Sequence, residues 1–237
     1  MQLFYNPDIQ LDSEHVLFSK EESRHIVRVL RKKIDDILNI TDGKGNLFVV
    51  QIIQADDKKC QARIISSELQ PQPKTYRLHL AIAPTKMNDR FEWFLEKATE
   101  IGNDEITPIR CEHSERTQIK PERFEKVIQS AMKQSLKFRL PVLNPLCKFT
   151  DLVNESKEEA KLIAHCQDLE KSNLPDLVRD KNDILVLIGP EGDFSKKEIQ
   201  AAIDAGFNTL DLGSSRLRTE TAGVVVCSNI AFMKDFS

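Results

Sequence analysis

The sequence predicts two domains of different class: a small antiparallel β-sheet or barrel over residues 1–70, and an α/β domain with a mostly parallel sheet over residues 74–237. Two observations predict this division. Strand-like runs joined by hairpin loops fill the first part, whereas short apolar runs alternate with helical patterns in the second. Between them lies Pro71-Gln72-Pro73, whose two prolines interrupt any ladder or helix and favour an extended linker.

The composition limits the classes of protein to which the chain can belong. It is 40% hydrophobic and 30% charged, as in soluble globular proteins, and its net charge of −3 gives no global signal for nucleic acid. Five scattered cysteines without a C-x-x-C pair argue against a disulfide framework or a zinc site. No signal-peptide pattern and no bilayer-length apolar stretch is found. We therefore expect a cytoplasmic protein without metal or membrane contact, in which any RNA binding uses local patches.

Three strands are predicted in the first domain, Asp36–Thr41, Leu47–Gln54 and Cys60–Ser67, and two short polar loops connect them. Consecutive hairpins of this kind predict a small antiparallel sheet or barrel. The glycines of the first loop, Gly43 and Gly45, are interpreted as turn residues and not as a phosphate-binding cradle.

One helix is predicted before these strands, over Lys20–Lys33. At 100° per residue its two faces differ in chemistry. The apolar face contains Ile26, Val27, Val29, Leu30 and Ile34, and the basic face contains Lys20, Arg24, His25, Arg28, Arg31 and Lys32. Two interpretations of the basic face stay open, a stripe for a phosphate backbone and an ordinary solvated helix face.

Strands and helices alternate in the second domain. The predicted strands are His79–Ala83, Ile106–Arg110, Ala160–Cys166, Ile184–Ile188 and Thr209–Leu212. The predicted helices are Asp89–Ile101, Pro121 to about Leu136, the segment between Ser195 and Gly206, and a last helix from about Thr221. Ser195 and Glu198 form a capping-box pattern, and Gly102 and Gly206 stand where a helix can end in the left-handed conformation.

Two glycine turns follow strands within residues 183–223. Ile184–Ile188 leads into Gly189–Gly192, and Thr209–Leu212 leads into Gly213–Ser215. Because ligands bind beyond the carboxyl ends of strands in an open α/β sheet, one pocket can use both turns. The alternative is that these glycines serve only as turn residues. Neither the G-x-G-x-x-G pattern nor a G-K-[ST] sequence is present, which argues against a Rossmann dinucleotide site and a P-loop.

Apolar residues in two helices indicate a second contact surface. Trp93, the only tryptophan, falls on the polar side of its helix, where it contacts either a partner or a neighbouring loop. The last helix is apolar nearly all round, which indicates burial between layers or between subunits. His165 and Cys166, at the end of the strand from Ala160, are interpreted as a hydrogen-bonded histidine and a buried thiol in preference to a metal pair.

Several short motifs together carry a resemblance to a known family. They are LIGPEG at Leu187–Gly192 with Phe194-Ser195, Leu212-Gly213, LRTETA at Leu217–Ala222, H-x-x-x-V-L-R at His25–Arg31, Lys86, Trp93, EKATEIG at Glu96–Gly102, and Gln134-Ser135 with Pro141. These motifs resemble those of the bacterial 16S rRNA uridine-N3 methyltransferases, which belong to the SPOUT superfamily. The likeness covers nearly the whole chain.

The resemblance implies a PUA-like, RNA-binding β-barrel followed by an α/β domain with a C-terminal trefoil knot, working as a homodimer. It implies S-adenosylmethionine as cofactor and N3 of a uridine in the 16S rRNA of the 30S subunit as target. Two rivals stay open. One is a SPOUT ribose 2′-O-methyltransferase, and the other is a non-catalytic RNA-binding assembly factor.

The resemblance also implies functional residues. The cofactor pocket maps to His165, Cys166, Leu187, Ile188, Gly189, Pro190, Glu191, Gly192, Leu212, Gly213, Ser214, Leu217, Arg218 and Thr219. The RNA-binding residues are Arg24, His25, Arg28, Arg31, Lys32 and Lys86. Arg218 is the expected cation that stabilises a uracil anion, and Glu220 is expected to act as base or to orient the arginine.

Three positions depart from the family pattern, and one of them is Ser130, which stands where an acidic residue is common. The other two concern the rim of the pocket. Asp193 replaces the second glycine of the usual G-P-E-G-G, and Ser215 stands where an arginine is usual, with Arg216 one place later. These two departures do not concern the reaction class. If the missing arginine is catalytic in the family, Arg216 or Arg218 takes its place here.

Overall fold

The computed structural model describes residues 2–72 and 74–235, so Pro73 of the predicted linker lies outside the described residues. The chain forms two compact units. Residues up to 72 form the first together with Met132–Leu140, and the rest of the described chain forms the second. The sequence-based ranges placed residues 132–140 with the second domain, whereas the structure groups them with the first.

The first unit is built on a five-stranded sheet in the order β1-β3-β4-β5-β2. Its elements are β1 Leu3–Tyr5, β2 His15–Leu17, α1 Lys20–Arg24, a π-helical turn His25–Val29, β3 Ile37–Thr41, β4 Asn46–Gln54 and β5 Gln61–Leu69. The three predicted strands are confirmed, and β1 and β2 were not foreseen because three residues carry too little periodicity. Every pairing is antiparallel except β1 with β3, and β1 and β2 make no pairing with each other within the described residues.

The loop between β3 and β4 is a turn, as predicted, and the segment 132–140 binds to it. Gly43 and Gly45 have φ angles of 74° and 109°, in the left-handed region that favours glycine. The amide of Leu140 donates to the carbonyl of Gly43 over 2.8 Å, and the amide of Gly45 donates to the carbonyl of Phe138 over 2.9 Å. The backbone groups of this turn therefore bind the chain itself.

The predicted helix over Lys20–Lys33 is wrong beyond Val29. After Arg24 the chain widens into the π-helical turn, in which the amide of Leu30 donates to the carbonyl of His25 over 2.9 Å. Arg31, with φ of 55°, lies outside the helix. The wider turn rotates the side chains, so that Ile26 is fully buried while Val29 is 67% exposed.

The second unit contains an all-parallel sheet in the order β11-β13-β10-β12-β6-β7-β8, and β9 also pairs with β7. Its strands are β6 Arg77–Ile82, β7 Glu105–Arg110, β8 Val142–Leu143, β9 Cys147–Lys148, β10 Ala160–Ala164, β11 Ser172–Asn173, β12 Asp183–Ile188 and β13 Asn208–Asp211. Its helices are α2 Asn88–Ile101, α3 Pro121–Gln134, α4 Phe149–Glu155, α5 Leu174–Val178, α6 Lys196–Asp204 and α7 Thr219–Asp235. Every predicted strand and helix of this domain is present, and the short elements β8, β9, β11, α4 and α5 were missed.

The local signals that predicted helix ends are confirmed. Ser195 and Glu198 form both hydrogen bonds of the capping box at the start of α6. Gly102 and Gly206 follow α2 and α6 with φ angles of 124° and 85°. Of the residues described, no helix has the length and apolarity needed to cross a membrane.

Polar side chains form a buried network near the amino-terminal ends of β6 and β7. His79 Nδ1 lies 2.9 Å from Glu158 Oε1, and His79 Nε2 lies 2.7 Å from Thr107 Oγ1. Burial raises the pKa of Glu158, but the hydrogen bond from His79 and backbone amide donors outweigh it and lower that pKa to about 2. The ionised carboxylate is therefore the form that the fold stabilises.

We predict that Glu158→Gln removes a pH-dependent part of the stability. Because the folded pKa is depressed from 4.5, this contribution is complete above pH 4.5 and is lost as the pH falls toward 2. Denaturant unfolding at pH 6.5 is expected to show a loss of roughly 1–3 kcal/mol for the variant, and a smaller difference at pH 3.5. The exposed Glu125→Gln is the control. A difference from wild type that stays constant over this range contradicts the assignment.

Candidate active site

Two adjoining cavities lie at the carboxyl ends of β10, β12 and β13. The smaller, about 330 Å³, is called the arginine cavity, and it is lined by Arg90, Ala164, Cys166, Ile188, Gly189, Pro190, Glu191, Asp193, Arg216, Leu217, Arg218, Thr219 and Ala222. The larger, about 560 Å³, is called the loop cavity, and it is lined by Ala164, His165, Cys166, Gln167, Lys171, Gly192, Asp193, Leu210, Asp211, Leu212, Gly213, Ser214, Ser215, Arg216, Leu217 and Ala222. Both predicted glycine turns therefore meet at one edge of the sheet.

All of the predicted cofactor residues except Leu187 line one cavity or the other. The side chain of Leu187 is fully buried in the core together with Phe194 and Ile199. Its predicted contact with the cofactor, which would use backbone groups, stays a prediction.

The turn after β12 is fixed by bonds to two other segments. The side chain of Glu191 accepts a hydrogen bond from the amide of Lys86 over 2.9 Å. Thr219 Oγ1 donates to the buried carbonyl of Gly189 over 3.0 Å. A Cβ on Gly189 would lie 3.1 Å from the ring of Phe194, so a larger residue would force this turn to shift. The turn thereby holds the loop before α2 and the start of α7 at the cavity.

Asp193 shows how this chain replaces the usual second glycine. Its φ of 64° is in the left-handed region, which aspartate adopts more readily than most residues other than glycine. Its carboxylate accepts a hydrogen bond from the amide of Cys166 over 2.9 Å, and His113 Nδ1 lies 3.1 Å from its carbonyl oxygen. The departure keeps the turn and adds a bond to the loop after β10.

His165 is buried at the wall of the loop cavity and is 7% exposed. Within the described residues neither ring nitrogen has a hydrogen-bond partner that meets the usual distance and angle limits, although the Gln167 backbone is close enough to affect the ring. The predicted hydrogen-bonded histidine is therefore not confirmed. Burial lowers the pKa of His165, and nearby Lys171 lowers it further against the opposing effects of Asp193 and the Gln167 backbone. The neutral ring leaves one donor and one acceptor for a ligand.

The neighbouring Cys166 is exposed, not buried as the sequence suggested. Its side chain borders both cavities, while its amide is held by Asp193. In the part of the chain that the structure describes, no three His, Cys, Asp or Glu residues are grouped so as to hold a metal ion.

The predicted catalytic residues occupy different positions. Arg216 and Arg218 are exposed at the arginine cavity and have no ion-pair partner within residues 2–72 and 74–235. Glu220 is 6% exposed and does not line either cavity. Its Oε1 lies 3.9 Å from the Nε of Arg90, a cavity residue that sequence reasoning missed. One feature of the sequence could have pointed to Arg90. It lies at the start of the helix that follows β6, and β6 is the strand that pairs with β12.

The predicted RNA-binding residues are found in both units. In the first unit, Arg28 donates to Asp57 over 2.6 Å, and His25 Nδ1 lies 3.8 Å from Glu22. Arg24 and Arg31 are exposed. In the second unit, Lys86 Nζ lies 2.7 Å from Glu115 on the surface. The basic residues are thus present, but two of the cations are already paired.

Comparison with known proteins agrees with this geometry. Residues 71–231 match the RNA methyltransferase domain family, and residues 18–65 match the RNA methyltransferase PUA domain. Over 233 residues the chain is 32% identical to the ribosomal RNA small subunit methyltransferase E of Buchnera aphidicola, covering 94% of this chain and 90% of that protein.

Two solved structures extend the likeness to the fold. The probable rRNA-methyltransferase from Porphyromonas gingivalis is 43% identical with a TM-score of 0.92, covering 99% of this chain and 98% of that one. The ribosomal RNA small subunit methyltransferase E from Neisseria gonorrhoeae, bound to S-adenosyl methionine, is 25% identical with a TM-score of 0.90 over 100% of both chains. These likenesses confirm the predicted fold class, a SPOUT α/β-knot domain after a PUA-like domain. The chain therefore belongs to the RNA methyltransferase family.

Proposed function

We propose that this protein transfers a methyl group from S-adenosylmethionine to N3 of a uridine in 16S rRNA of the small ribosomal subunit. The observation that carries the proposal is the junction of the loop cavity with a cavity lined by three arginines, of which Arg216 and Arg218 have no ion-pair partner among the described residues. A relative of the same fold binds S-adenosyl methionine, and the relatives' names specify small-subunit ribosomal RNA. A cytoplasmic location follows from such a substrate.

The loop cavity suits an adenosine-bearing ligand in size and chemistry. Its volume of about 560 Å³ is within the usual range for small-molecule sites. Gly213, with φ of 102°, has no atom within 4 Å of the position of a Cβ, so a ligand can approach its backbone closely. The neutral His165 offers an unsatisfied donor and acceptor. When bound, the cofactor supplies an electrophilic methyl group on a sulfonium ion.

In this proposal the target base occupies the arginine cavity, and the cofactor in the loop cavity extends to the wall that the two cavities share. Six of the residues predicted for the cofactor line only the arginine cavity: Ile188, Gly189, Pro190, Glu191, Arg218 and Thr219. Uracil N3 carries a proton at neutral pH and is a poor nucleophile until that proton leaves. As the N3–C bond forms, the S–C bond breaks and the N3 proton passes to solvent. Loss of that proton leaves a negative charge that N3, O2 and O4 share until the N3–C bond is complete. In this proposal Arg218 donates to one of these oxygens, and Arg216 lines the same cavity.

The RNA reaches this cavity through phosphate contacts and base extrusion. The basic residues Arg24, His25, Arg28, Arg31, Lys32 and Lys86 are the candidates for phosphate contacts. Arg24 and Arg31 are exposed and can bind phosphate directly. Arg28 and Lys86 can do so only after their ion pairs with carboxylates have broken. Because N3 of a paired uracil is inaccessible, the target base must be unpaired or flipped out of its helix.

We predict that Arg218→Ala slows methyl transfer about 10²–10³-fold and leaves cofactor affinity within a few-fold, because it removes one preorganised donor to the forming anion. Single-turnover methylation of small subunits and calorimetric cofactor titration on the same sample measure the two effects. Arg216→Ala is the matched variant. Equal losses of turnover, affinity and thermal stability would instead make Arg218 a structural residue.

Nucleoside analysis tests the reaction itself. We expect 16S rRNA from a strain lacking this protein to lose one 3-methyluridine, and the purified enzyme to restore it with labelled S-adenosylmethionine. Loss of a 2′-O-methylated nucleoside would establish different regiochemistry. An unchanged nucleoside pattern together with no cofactor binding would identify a non-catalytic RNA-binding factor.

We also propose that the protein works as a homodimer. Trp93 on α2 is 42% exposed, Phe232 on α7 is 67% exposed, and α2 and α7 are neighbours in the second unit. Each of these helices therefore exposes a large apolar side chain that a second copy can bury.

For this dimer, we predict that Trp93→Ser shifts the protein toward monomer at micromolar concentration without lowering its thermal stability by more than about 1 kcal/mol. Light scattering coupled to gel filtration measures the mass, and Ile203→Ser on the exposed side of α6 is the control. A wild-type monomer under the same conditions would refute the dimer.

A further inference from the structure

Arg90 and Glu220 form an ion pair beside the arginine cavity, and the reaction proposed above assigns no role to this pair. We propose that Arg90 is a second cationic contact to the target base and that Glu220 is a positioning residue for Arg90, not the proton acceptor. The inference rests on the proposed function, because it takes the arginine cavity as the base-binding site.

The two side chains meet because the helices that carry them pack closely. Arg90 lies in the first turn of α2 and Glu220 in the first turn of α7, and Nε and Oε1 are 3.9 Å apart. One turn further along each helix, a Cβ on Gly223 would lie 2.6 Å from Phe94 Cε2. Only glycine allows this approach without displacement of the ring. The approach sets the first turns of the two helices side by side.

Burial separates the roles of the two residues. Glu220 is 6% exposed, its Oε2 is buried without a hydrogen-bond partner, and it does not line the cavity. Arg90 does line the cavity, with 40% of its side chain exposed. A proton acceptor must come within hydrogen-bond distance of N3, which favours groups at the cavity wall. A buried carboxylate beside one cation instead holds that cation in place.

The chemistry of the uracil anion calls for two cations. Loss of the N3 proton places negative charge on O2 and O4, which lie on opposite sides of N3. One guanidinium that binds one of these oxygens leaves the other unsatisfied. Arg218 reaches the cavity from the loop before α7, and Arg90 reaches it from α2. Two donors from separate elements can therefore bind the two oxygens and leave N3 open to the methyl group.

The test is a double-mutant cycle on single-turnover methylation of small subunits that lack the methyl group. We expect Arg90→Ala to slow transfer about 10–100-fold, Glu220→Gln to slow it about 10-fold, and the double variant to be no slower than Arg90→Ala alone. Arg90→Lys, which keeps the charge but not the fork, is expected to be intermediate. Calorimetric affinity for S-adenosylmethionine should change less than about threefold in all of them.

Arg123 and Glu92 supply the matched control, since this arginine–glutamate pair (Nη2 to Oε2, 2.9 Å) lines neither cavity. Arg123→Ala and Glu92→Gln should leave the transfer rate within about twofold of wild type. The pH dependence of the rate in Glu220→Gln should keep the wild-type shape, because the positioning residue does not take the proton.

Three results would overturn the inference: a wild-type rate in Arg90→Ala, multiplying losses in the double variant, or loss of the acidic limb of the pH profile, which is the fall in rate at low pH, in Glu220→Gln. The last would make Glu220 the proton acceptor. Failure of the proposed function is distinguishable, because then wild type itself forms no 3-methyluridine. If Glu220→Gln does not fold, the comparison of Arg90→Ala with Arg90→Lys still decides whether Arg90 acts on the base.

Discussion

The candidate site depends on the buried hydrogen bond from Thr219 Oγ1 to the carbonyl of Gly189. It joins the first residue of α7 to the turn after β12, thirty positions earlier in the chain. Arg218 immediately precedes Thr219 in the chain, and Glu220 follows it in the first turn of α7. The bond fixes the start of α7 against this turn, and the packing of α7 on α2 at Gly223 acts with it. A neutral hydrogen bond is stronger when it is shielded from water.

Substitutions at the rim of the site preserve its geometry and change its charge. Asp193 adopts the left-handed conformation that glycine usually adopts, and its carboxylate accepts a hydrogen bond from the amide of Cys166. The bond adds order to the loop after β10, which glycine cannot provide. Ser215 stands where the resembled family usually has an arginine, and two arginines that line the arginine cavity, Arg216 and Arg218, follow it in the chain. The same backbone frame thus accepts a different distribution of charged side chains.

Much of the fold was predictable because its signals are local. The capping box of Ser195 and Glu198 and the glycine after α2 predict helix ends from a few adjacent residues. The association of Gly43 with Leu140 was not predictable, because it joins residues nearly a hundred positions apart through backbone groups that every residue carries. The π-helical turn at His25–Val29 has no periodic signature in so short a segment.

The candidate site was predictable in outline and not in its charge pairing. The resemblance gave the loops, and the loops do line the cavities, because strand ends and glycine turns are fixed by the fold class. The resemblance pointed to Glu220 but not to Arg90, the residue with which Glu220 forms an ion pair. Partnership with Arg90 requires the crossing of α2 and α7 at Gly223, which is a property of packing and not of spacing along the chain.

The two cavities also differ in electrostatic character, which bears on how one site can hold a cation and form an anion. The loop cavity is lined by two cations, Lys171 and Arg216, by the carboxylates of Asp193 and Asp211, and by His165, whose pKa burial lowers. The arginine cavity is lined by Arg90, Arg216 and Arg218 against the carboxylates of Glu191 and Asp193, so it carries one more positive charge than the loop cavity. If His165 were protonated, its charge would add to that of Lys171 and oppose the sulfonium. Because burial lowers the pKa of His165, this ring adds little to the positive charge that would oppose a cationic cofactor, while the arginines stabilise negative charge where it develops during transfer.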